Sequence, residues 1–180
     1  MNDPVPAWAH EEVAIVRYDP GWRELGRAEC ARLTELLGSW LVADVEHVGS
    51  TSVPGLAAKP VIDLMGLVTE LDAAVAGAAE ILACEGWHYL SPKLDLRPWR
   101  RFFVKPDPTG HRRVGHLHLI TDGHPRWARQ LAFRDALRRD PATARRYERL
   151  KRQLAEQHAQ DREAYTEAKA TFIAEVLGTR

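Results

Sequence analysis

Residues 47–63 read HVGSTSVPGLAAKPVID, and this stretch decides the fold. The Gly49-Ser50 pair ends a predicted strand, where a turn can offer backbone N–H groups and a hydroxyl to a phosphate. Asp63 lies inside Val61–Val68, a nearly continuous apolar run that is typical of a strand buried on both faces. A carboxylate there can hold a divalent cation that bridges to the phosphate, as phosphoryl and nucleotidyl transfer require.

Asp63 also has a purely structural interpretation. A carboxylate in an apolar strand costs too much free energy to remain unpaired. Lys59 or an arginine could neutralise it in a buried ion pair that has no role in chemistry. The residues alone support both the metal-binding and the structural interpretation of Asp63.

The same stretch resembles the signature of the GrpB-like family, whose members have a nucleotidyltransferase fold of the polymerase-beta type. Further segments are similar to family blocks in the same order: Tyr18-Asp19-Pro20 with Trp22, His116-Leu117-His118-Leu119, Leu131 to Arg138, Tyr147 to Lys151 and Tyr165 to Ile173. The resemblance implies that Gly49 and Ser50 hold the triphosphate of a nucleotide. It also implies that Asp63 is the first metal-binding carboxylate.

The chain departs from the wider superfamily at the remaining carboxylates. That superfamily uses three carboxylates to hold two metal ions, whereas Met65 occupies the second position here. The later strand that could present the third acid carries His116 and His118, which are two residues apart and therefore point to one face. With Asp63 they could form a metal site of two nitrogens and one oxygen, which favours a transition metal over magnesium.

Other roles are open to the two histidines. Either could act as a general base on an acceptor hydroxyl, or contact a phosphate as an imidazolium. Both could also be hydrogen-bonded structural residues. We predict Asp63, His116 and His118 as the catalytic and metal-binding set.

Basic residues complete the predicted site. Arginine suits bidentate binding of phosphate, so Arg101 or one of its basic neighbours, Lys93, Arg97 and Arg100, could bind a nucleotide. Of two lysines in the C-terminal helices, we favour Lys169 over Lys151, because its surroundings are less charged. The predicted nucleotide-binding set is Gly49, Ser50, Thr51, Lys59, Arg101 and Lys169.

The order of predicted elements indicates an α+β fold, with a mixed sheet flanked by helices and a helical tail. Predicted strands are Val13–Val16, Leu41–Val48, Val61–Val68, Trp87–Leu90, Arg101–Val104 and Gly115–Ile120. Predicted helices run from Trp22 to Gly38 and from Leu71 to Cys84, and three more begin at Pro125, Pro141 and Asp161. A Thr69-x-x-Asp72 capping box is expected to start the second helix. We expect one domain over residues 1–180, in which a helical tail of 125–180 packs on a core of 1–124.

Composition limits the class of protein. The chain has 180 residues, 45% of them hydrophobic and 28% charged, as in a globular protein. No apolar run approaches the roughly 20 residues of a membrane helix. Residues 1–4 lack the basic head of a secretory signal. We therefore expect a cytoplasmic protein that does not enter a membrane.

The net charge of zero hides an asymmetry between the two halves. Residues 1–90 carry 5 basic and 14 acidic residues, whereas residues 91–180 carry 20 and 11. The basic half either meets a polyanion or pairs with the acidic half in the folded chain. Because no nucleic-acid recognition motif accompanies the charge, nucleic acid is not the expected partner.

The leading hypothesis is a nucleotidyltransferase-like enzyme. It would bind a nucleoside triphosphate with a divalent metal, either magnesium or a transition metal, and transfer a nucleotidyl or phosphoryl group to an unknown small acceptor. The alternative is a catalytically degenerate nucleotide- or anion-binding module, which Met65 favours. A third candidate is a nucleic-acid-binding or scaffolding protein that uses the basic half.

Overall fold

The computed structural model describes residues 6–12, 14–158 and 162–178. Five strands form one sheet: β1 (Leu41–Val48), β2 (Ile62–Val68), β3 (His88–Leu90), β4 (Arg100–Pro106) and β5 (Arg113–Thr121). The strand order is β1-β2-β5-β4-β3, with β2 and β5 parallel and all other neighbours antiparallel. The predicted mixed sheet is confirmed.

Seven α-helices are described: α1 (Gly21–Leu37), α2 (Leu71–Cys84), α3 (Pro92–Asp95), α4 (Arg126–Arg139), α5 (Pro141–Gln157), α6 (Arg162–Glu167) and α7 (Ala170–Leu177). Short 3-10 helices cover Ala7–His10 and Ser50–Ser52. None of these helices combines the length and the apolar character needed to pass through a lipid bilayer.

Several local predictions need correction. The cap of α2 is Glu70, whose side chain accepts from Ala73 N at 2.8 Å, so the expected Thr69 capping box is wrong. In the N-terminal segment, Val16 forms only an isolated bridge with Ala58. Val13 and Asp161, where a strand and a helix were predicted to begin, lie outside the described residues.

The two faces of the sheet have different roles. One face packs against α1 and α2 and forms the main core, which includes Leu33, Leu37, Leu64, Ala78, Leu82, Phe103, Leu117 and Leu119. Because side chains alternate along a strand, Asp63 and Met65 point to the opposite face. His116 and His118 lie beside them in register on β5. The sheet thus presents Asp63, His116 and His118 together on the face away from α1 and α2.

The C-terminal helices pack against the loop that follows β1. Val53 and Leu56 of this loop form a cluster with Phe133, Leu137 and Tyr147 of α4 and α5.

Several ion pairs join the basic half of the chain to the acidic half: Lys105 with Glu29 at 2.5 Å, Arg101 with Asp72 at 2.7 Å and Arg134 with Glu46 at 2.6 Å. Part of the basic excess is therefore neutralised within the fold.

Gly26→Ala is expected to destabilise the protein, although alanine is the better residue inside a helix by about 1 kcal/mol. A Cβ at Gly26 would lie 2.5 Å from His47 Cε1 and closer still to Nδ1, because α1 crosses β1 at this point. We expect a loss of about 2 kcal/mol, as for other overpacked sites. Urea unfolding of Gly26→Ala, His47→Ala and the double variant would measure it.

In the His47→Ala background the same Gly26→Ala change should be neutral or stabilising, because the ring that it strikes is gone. If the unfolding free-energy losses of Gly26→Ala and His47→Ala simply added in the double variant, the close contact between Gly26 and His47 would be contradicted.

Candidate functional site

A cavity of about 500 Å³ lies on the face of the sheet that carries Asp63. The turn after β1 and the C-terminal helices wall it. It brings together most of the predicted site residues, namely Gly49, Ser50, Thr51, Lys59, Asp63, His116, His118 and Lys169. Residues that are up to 120 positions apart in sequence thus meet in one pocket.

Gly49 forms the turn in a conformation that suits glycine. Its φ of 69° and ψ of −172° lie in a region essentially restricted to glycine. A Cβ there would come within 2.9 Å of Asp63 Cβ and closer still to Oδ2. The hydroxyl of Ser52 donates to the Gly49 carbonyl at 2.6 Å, and Arg138 donates to the Ser52 carbonyl at 2.8 Å. The turn is therefore held directly against the Asp63 carboxylate.

Asp63, His116 and His118 offer three ligand atoms within 4.8 Å of one another. His116 Nδ1 lies 2.9 Å from Asp63 Oδ1, and His118 Nε2 lies 4.0 Å from the same oxygen. The other ring nitrogen of His116 is buried and has no hydrogen-bond partner in the described part of the chain. A buried polar atom without a partner is rare in folded proteins and calls for an explanation.

The protonation states of this group follow from its surroundings. Burial raises the pKa of Asp63, but the hydrogen bonds and charges of His116 and His118 outweigh burial and hold it well below its usual range. Burial lowers the pKa of His116, and it lowers the pKa of His118 to about 4 with a contribution from the Arg100 charge. At neutral pH the site therefore holds one carboxylate and two neutral imidazoles.

Met65 stands where a second carboxylate would be expected, and residues 6–12, 14–158 and 162–178 offer no replacement beside it. Met65 is buried against Val48 and Ile120. Glu46 lies opposite Met65 on β1, but its carboxylate pairs with Arg134 at 2.6 Å and does not line the cavity. Within the described residues, Asp63 and Asp95 are the carboxylates that line the cavity.

Two of the predicted nucleotide-binding residues lie differently from expectation. Arg101 points to the opposite face of the sheet, where its Nε donates to Asp72 at 2.7 Å, and the arginine in the cavity wall is its neighbour Arg100. Thr51 is buried, and its hydroxyl donates to the Val61 carbonyl at 3.0 Å, while His47 Nε2 lies 3.0 Å away on its other side. Thr51 thus supports the turn, and its hydroxyl is not offered to a ligand.

The cavity wall also contains residues that the sequence does not single out. Asp95 forms a buried bidentate ion pair with Arg100, one of the basic neighbours of Arg101. Arg113 and Arg126 also line the cavity, although arginines near turns are usually solvated. No sequence pattern marks Asp95 or Arg126 as part of the site.

Lysines of the C-terminal helices close the cavity. Lys151 is only 1% exposed and donates to the Ala57 carbonyl, and burial lowers its pKa to about 7. Burial likewise lowers the pKa of Lys169 to about 8, and its Nζ lies 4.2 Å from the centre of the Tyr165 ring. Both lysines line the cavity, so the preference for Lys169 over Lys151 finds no geometric support.

A second cavity of about 300 Å³ adjoins the first. Gly49, Ser50, Asp63 and Lys169 line both. Its other charged lining residues are the arginines Arg126, Arg129 and Arg134. The Gly49-Ser50 turn and Asp63 therefore lie where two cationic cavities meet.

Stability is expected to fall as the pH drops from about 6.5 to 4. Burial lowers the pKa of His47 from its ordinary value of 6.5 to about 4, so across this range the unfolded chain takes up a proton that the folded chain does not. The contribution of His47 is at most about 3 kcal/mol, at about 1.4 kcal/mol per pKa unit. Urea unfolding between pH 7.5 and 4.5 would measure it.

His47→Gln should make this pH dependence less steep and leave the part that comes from the buried His116 and His118, whose pKa values are also lowered, whereas His88→Gln, at an exposed position on β3, should leave it unchanged. Equal slopes for the wild type and His47→Gln would overturn the assignment to His47.

Comparisons with known proteins agree with this architecture. A family model described as GrpB protein matches residues 12–179. The UPF0157 protein YqkA of Bacillus subtilis is 36% identical over 163 residues, which cover 90% of this chain and 45% of that protein. The crystal structure of conserved protein GrpB from Enterococcus faecalis superimposes with a TM-score of 0.76 at 35% identity, covering 91% of this chain and 94% of that one.

A more distant structure shares the fold. The Cid1 poly(U) polymerase, solved as a mutant bound to MgATP, matches with a TM-score of 0.51 and 14% identity. The match covers 72% of this chain and 41% of that one. This similarity shows the nucleotidyltransferase-type fold alone, and the predicted fold class is confirmed.

Proposed function

The chain belongs to the GrpB family, and we propose that its cavity binds a nucleoside triphosphate together with a divalent cation. In this proposal the protein transfers a nucleotidyl or phosphoryl group to a small acceptor. The nucleotide and the acceptor would occupy the two cavities that meet at Gly49, Ser50 and Asp63.

The observation that carries the proposal is the charge of the larger cavity. Among the described residues, its walls contain seven basic side chains: Lys59, Arg97, Arg100, Arg113, Arg126, Lys151 and Lys169. Against them stand Asp63, Asp95, which is paired with Arg100, and Glu11, which pairs with Lys59 at 2.9 Å, so the positive charges still outnumber the negative ones. A concave surface with this excess of positive charge attracts a polyanion such as a triphosphate. Its volume of about 500 Å³ is that of a small-molecule site.

The turn and the carboxylate supply complementary parts of such a site. The Gly49-Ser50 backbone would contact phosphate oxygens at the end of β1, as backbone N–H groups do in other phosphate-binding turns. Asp63 would hold the cation. Its ionised side chain is 32% exposed, and magnesium is commonly bound by one or two carboxylates together with the phosphates of the substrate. A cation bound there would neutralise the phosphates and polarise them toward attack.

The fold neighbour supports the choice of first ligand. The Cid1 structure was solved with MgATP, so ATP with magnesium is the natural first probe, followed by the other nucleoside triphosphates. Manganese and zinc should be included, because His116 and His118 could favour a softer metal.

A second candidate function rests on Met65. Two-metal catalysis needs more than one carboxylate, and the described cavity supplies Asp63 with no second unpaired acid. A protein that kept the phosphate site and lost turnover would bind nucleotide without chemistry.

Product analysis separates the two candidates. ATP labelled at the α or γ position would be incubated with the protein, a divalent metal and a panel of small hydroxyl, amine and phosphate acceptors. Release of pyrophosphate indicates nucleotidyl transfer, and release of ADP indicates phosphoryl transfer. Metal-dependent binding with neither product across the panel would favour the binding module. Absence of binding with every metal would contradict both.

A further inference from the structure

Arg100 of β4 contacts His118 of β5 in a way that fixes the position of the imidazole proton. Arg100 Nη1 lies 2.6 Å from His118 Nδ1. A guanidinium has donors and no acceptor, so Nδ1 must accept this hydrogen bond through its lone pair. A neutral imidazole has one N–H, and in His118 that N–H must therefore be at Nε2.

Arg100 is itself held in place by two neighbours. Asp95 accepts from its Nε at 2.8 Å and from its Nη2 at 2.5 Å, and the two residues are only 7% and 9% exposed. Phe102 packs against both groups, with its ring centre 4.1 Å from Arg100 Cζ and 4.9 Å from the centre of the stacked His118 ring. The buried ion pair and the stacking leave the His118 ring little freedom to turn.

This arrangement is the reverse of the one found at metal-bound histidines. Such a histidine donates its second N–H to a carboxylate or carbonyl and offers the other lone pair to the metal. In His118 the second nitrogen accepts from an arginine, so the nitrogen that faces Asp63 carries a hydrogen atom. His116 differs, because its Nδ1 donates to the ionised Asp63 carboxylate and the lone pair is left on Nε2, which is buried and has no partner among the described residues.

We propose that His118 is a hydrogen-bond donor to a phosphate oxygen, positioned by Arg100 and Asp95, and that it is not a ligand of the cation held by Asp63. The phosphate role rests on the proposed function, whereas the position of the proton does not. These roles assign a polyphosphate as the class of substrate. The His118 N–H would donate to one phosphate oxygen, and Asp63 would hold the cation that neutralises the phosphates. The predicted cage of two nitrogens and one oxygen is then not the metal site.

Nitrogen NMR of the full chain labelled with 15N-histidine tests the proton position. At pH 7.5 we expect His118 to be protonated at Nε2 and His116 at Nδ1, with signals assigned from the His116→Gln and His118→Gln variants. Zinc added alone should leave the N–H at His118 Nε2 in place. Protonation of His118 at Nδ1, or loss of its Nε2–H when zinc is added, would overturn the proposal.

Arg100→Met should allow His118 to carry its proton at either ring nitrogen. Arg97→Met removes another guanidinium from the same wall and should leave the proton at Nε2. A loss of structure alone would not move one tautomer selectively. An unchanged His118 tautomer in folded Arg100→Met would contradict the positioning role.

Calorimetry with magnesium and tripolyphosphate tests the phosphate contact. His118→Leu should weaken binding about ten- to a hundredfold, the range for a hydrogen bond to a charged group, while His118→Gln, which keeps an N–H donor, should recover most of the affinity. Equal losses in both variants would overturn the donor role. If wild type binds no polyphosphate but shows the expected tautomers, the proposed function and the phosphate role fail, and the exclusion of His118 as a metal ligand is supported.

Discussion

Gly49→Ala is expected to destabilise the protein by about 3 kcal/mol, which corresponds to a fall of about 6 to 12 °C in Tm for a chain of this size. Two costs combine in this change. The backbone conformation of Gly49 disfavours any side chain by about 1 to 3 kcal/mol. The new methyl group would also strike the Asp63 carboxylate. Because the turn and the carboxylate would have to separate, metal-dependent binding of ATP should be lost together with stability.

Gly55→Ala is the matched control. Gly55 also has a positive φ, of 77°, but a Cβ there would meet nothing within 4 Å. It should therefore show only the conformational cost and should keep ATP binding. Thermal unfolding and calorimetry of the two variants measure both effects. Equal losses of stability and intact binding in Gly49→Ala would contradict the close approach of the turn to Asp63.

Asp63→Asn is expected to weaken metal-dependent nucleotide binding by about a hundredfold or more, equivalent to about 3 kcal/mol. The amide keeps the shape of the side chain, and its oxygen can still accept the hydrogen bond from His116. It lacks the negative charge that would hold a cation among basic side chains. The fold should survive, with a change in unfolding free energy of about 1 kcal/mol. The shift in Tm caused by ATP with manganese provides the readout.

Glu46→Gln is the control for this change, because Glu46 lies on the same sheet face but lines neither cavity, and its carboxylate is paired with Arg134 in the wall of the second cavity. Its binding should match that of the wild type. Tight metal-dependent binding by folded Asp63→Asn would show that the cation is held elsewhere. A loss in Glu46→Gln as large as that in Asp63→Asn would instead identify Glu46 as the missing second carboxylate.

Much of the sheet could be predicted from local pattern. The apolar run that ends at Val68 has a length and composition that fit a buried central strand, and β1 has the predicted bounds. The spacing of His116 and His118 placed them correctly on one face. The sequence does not show which face of β4 meets the cavity. Both faces of this strand are covered and each carries basic and apolar residues, so no alternation of polar with apolar residues distinguishes them.

The errors have physical causes of the same kind. The sequence does not distinguish Arg100 from Arg101, because the burial of Arg100 depends on Asp95 in α3. This helix has only four residues, so no periodic pattern reveals it. The hydroxyl of Thr51 turns inward because the Val61 carbonyl is 3.0 Å away, and only the folded loop brings the two together. The buried environment of Lys151 likewise depends on contacts across 94 positions of sequence.

The central claim is that a cation and a nucleotide meet at the Gly49-Ser50 turn and Asp63. Calorimetric titration of wild-type protein with ATP, in the presence of magnesium, manganese or zinc and again with a chelator, tests it most directly. We predict binding of one nucleotide per chain that requires the metal. Absence of binding with every metal, or equal binding with the chelator, would contradict a metal-dependent nucleotide site at the Gly49-Ser50 turn and Asp63.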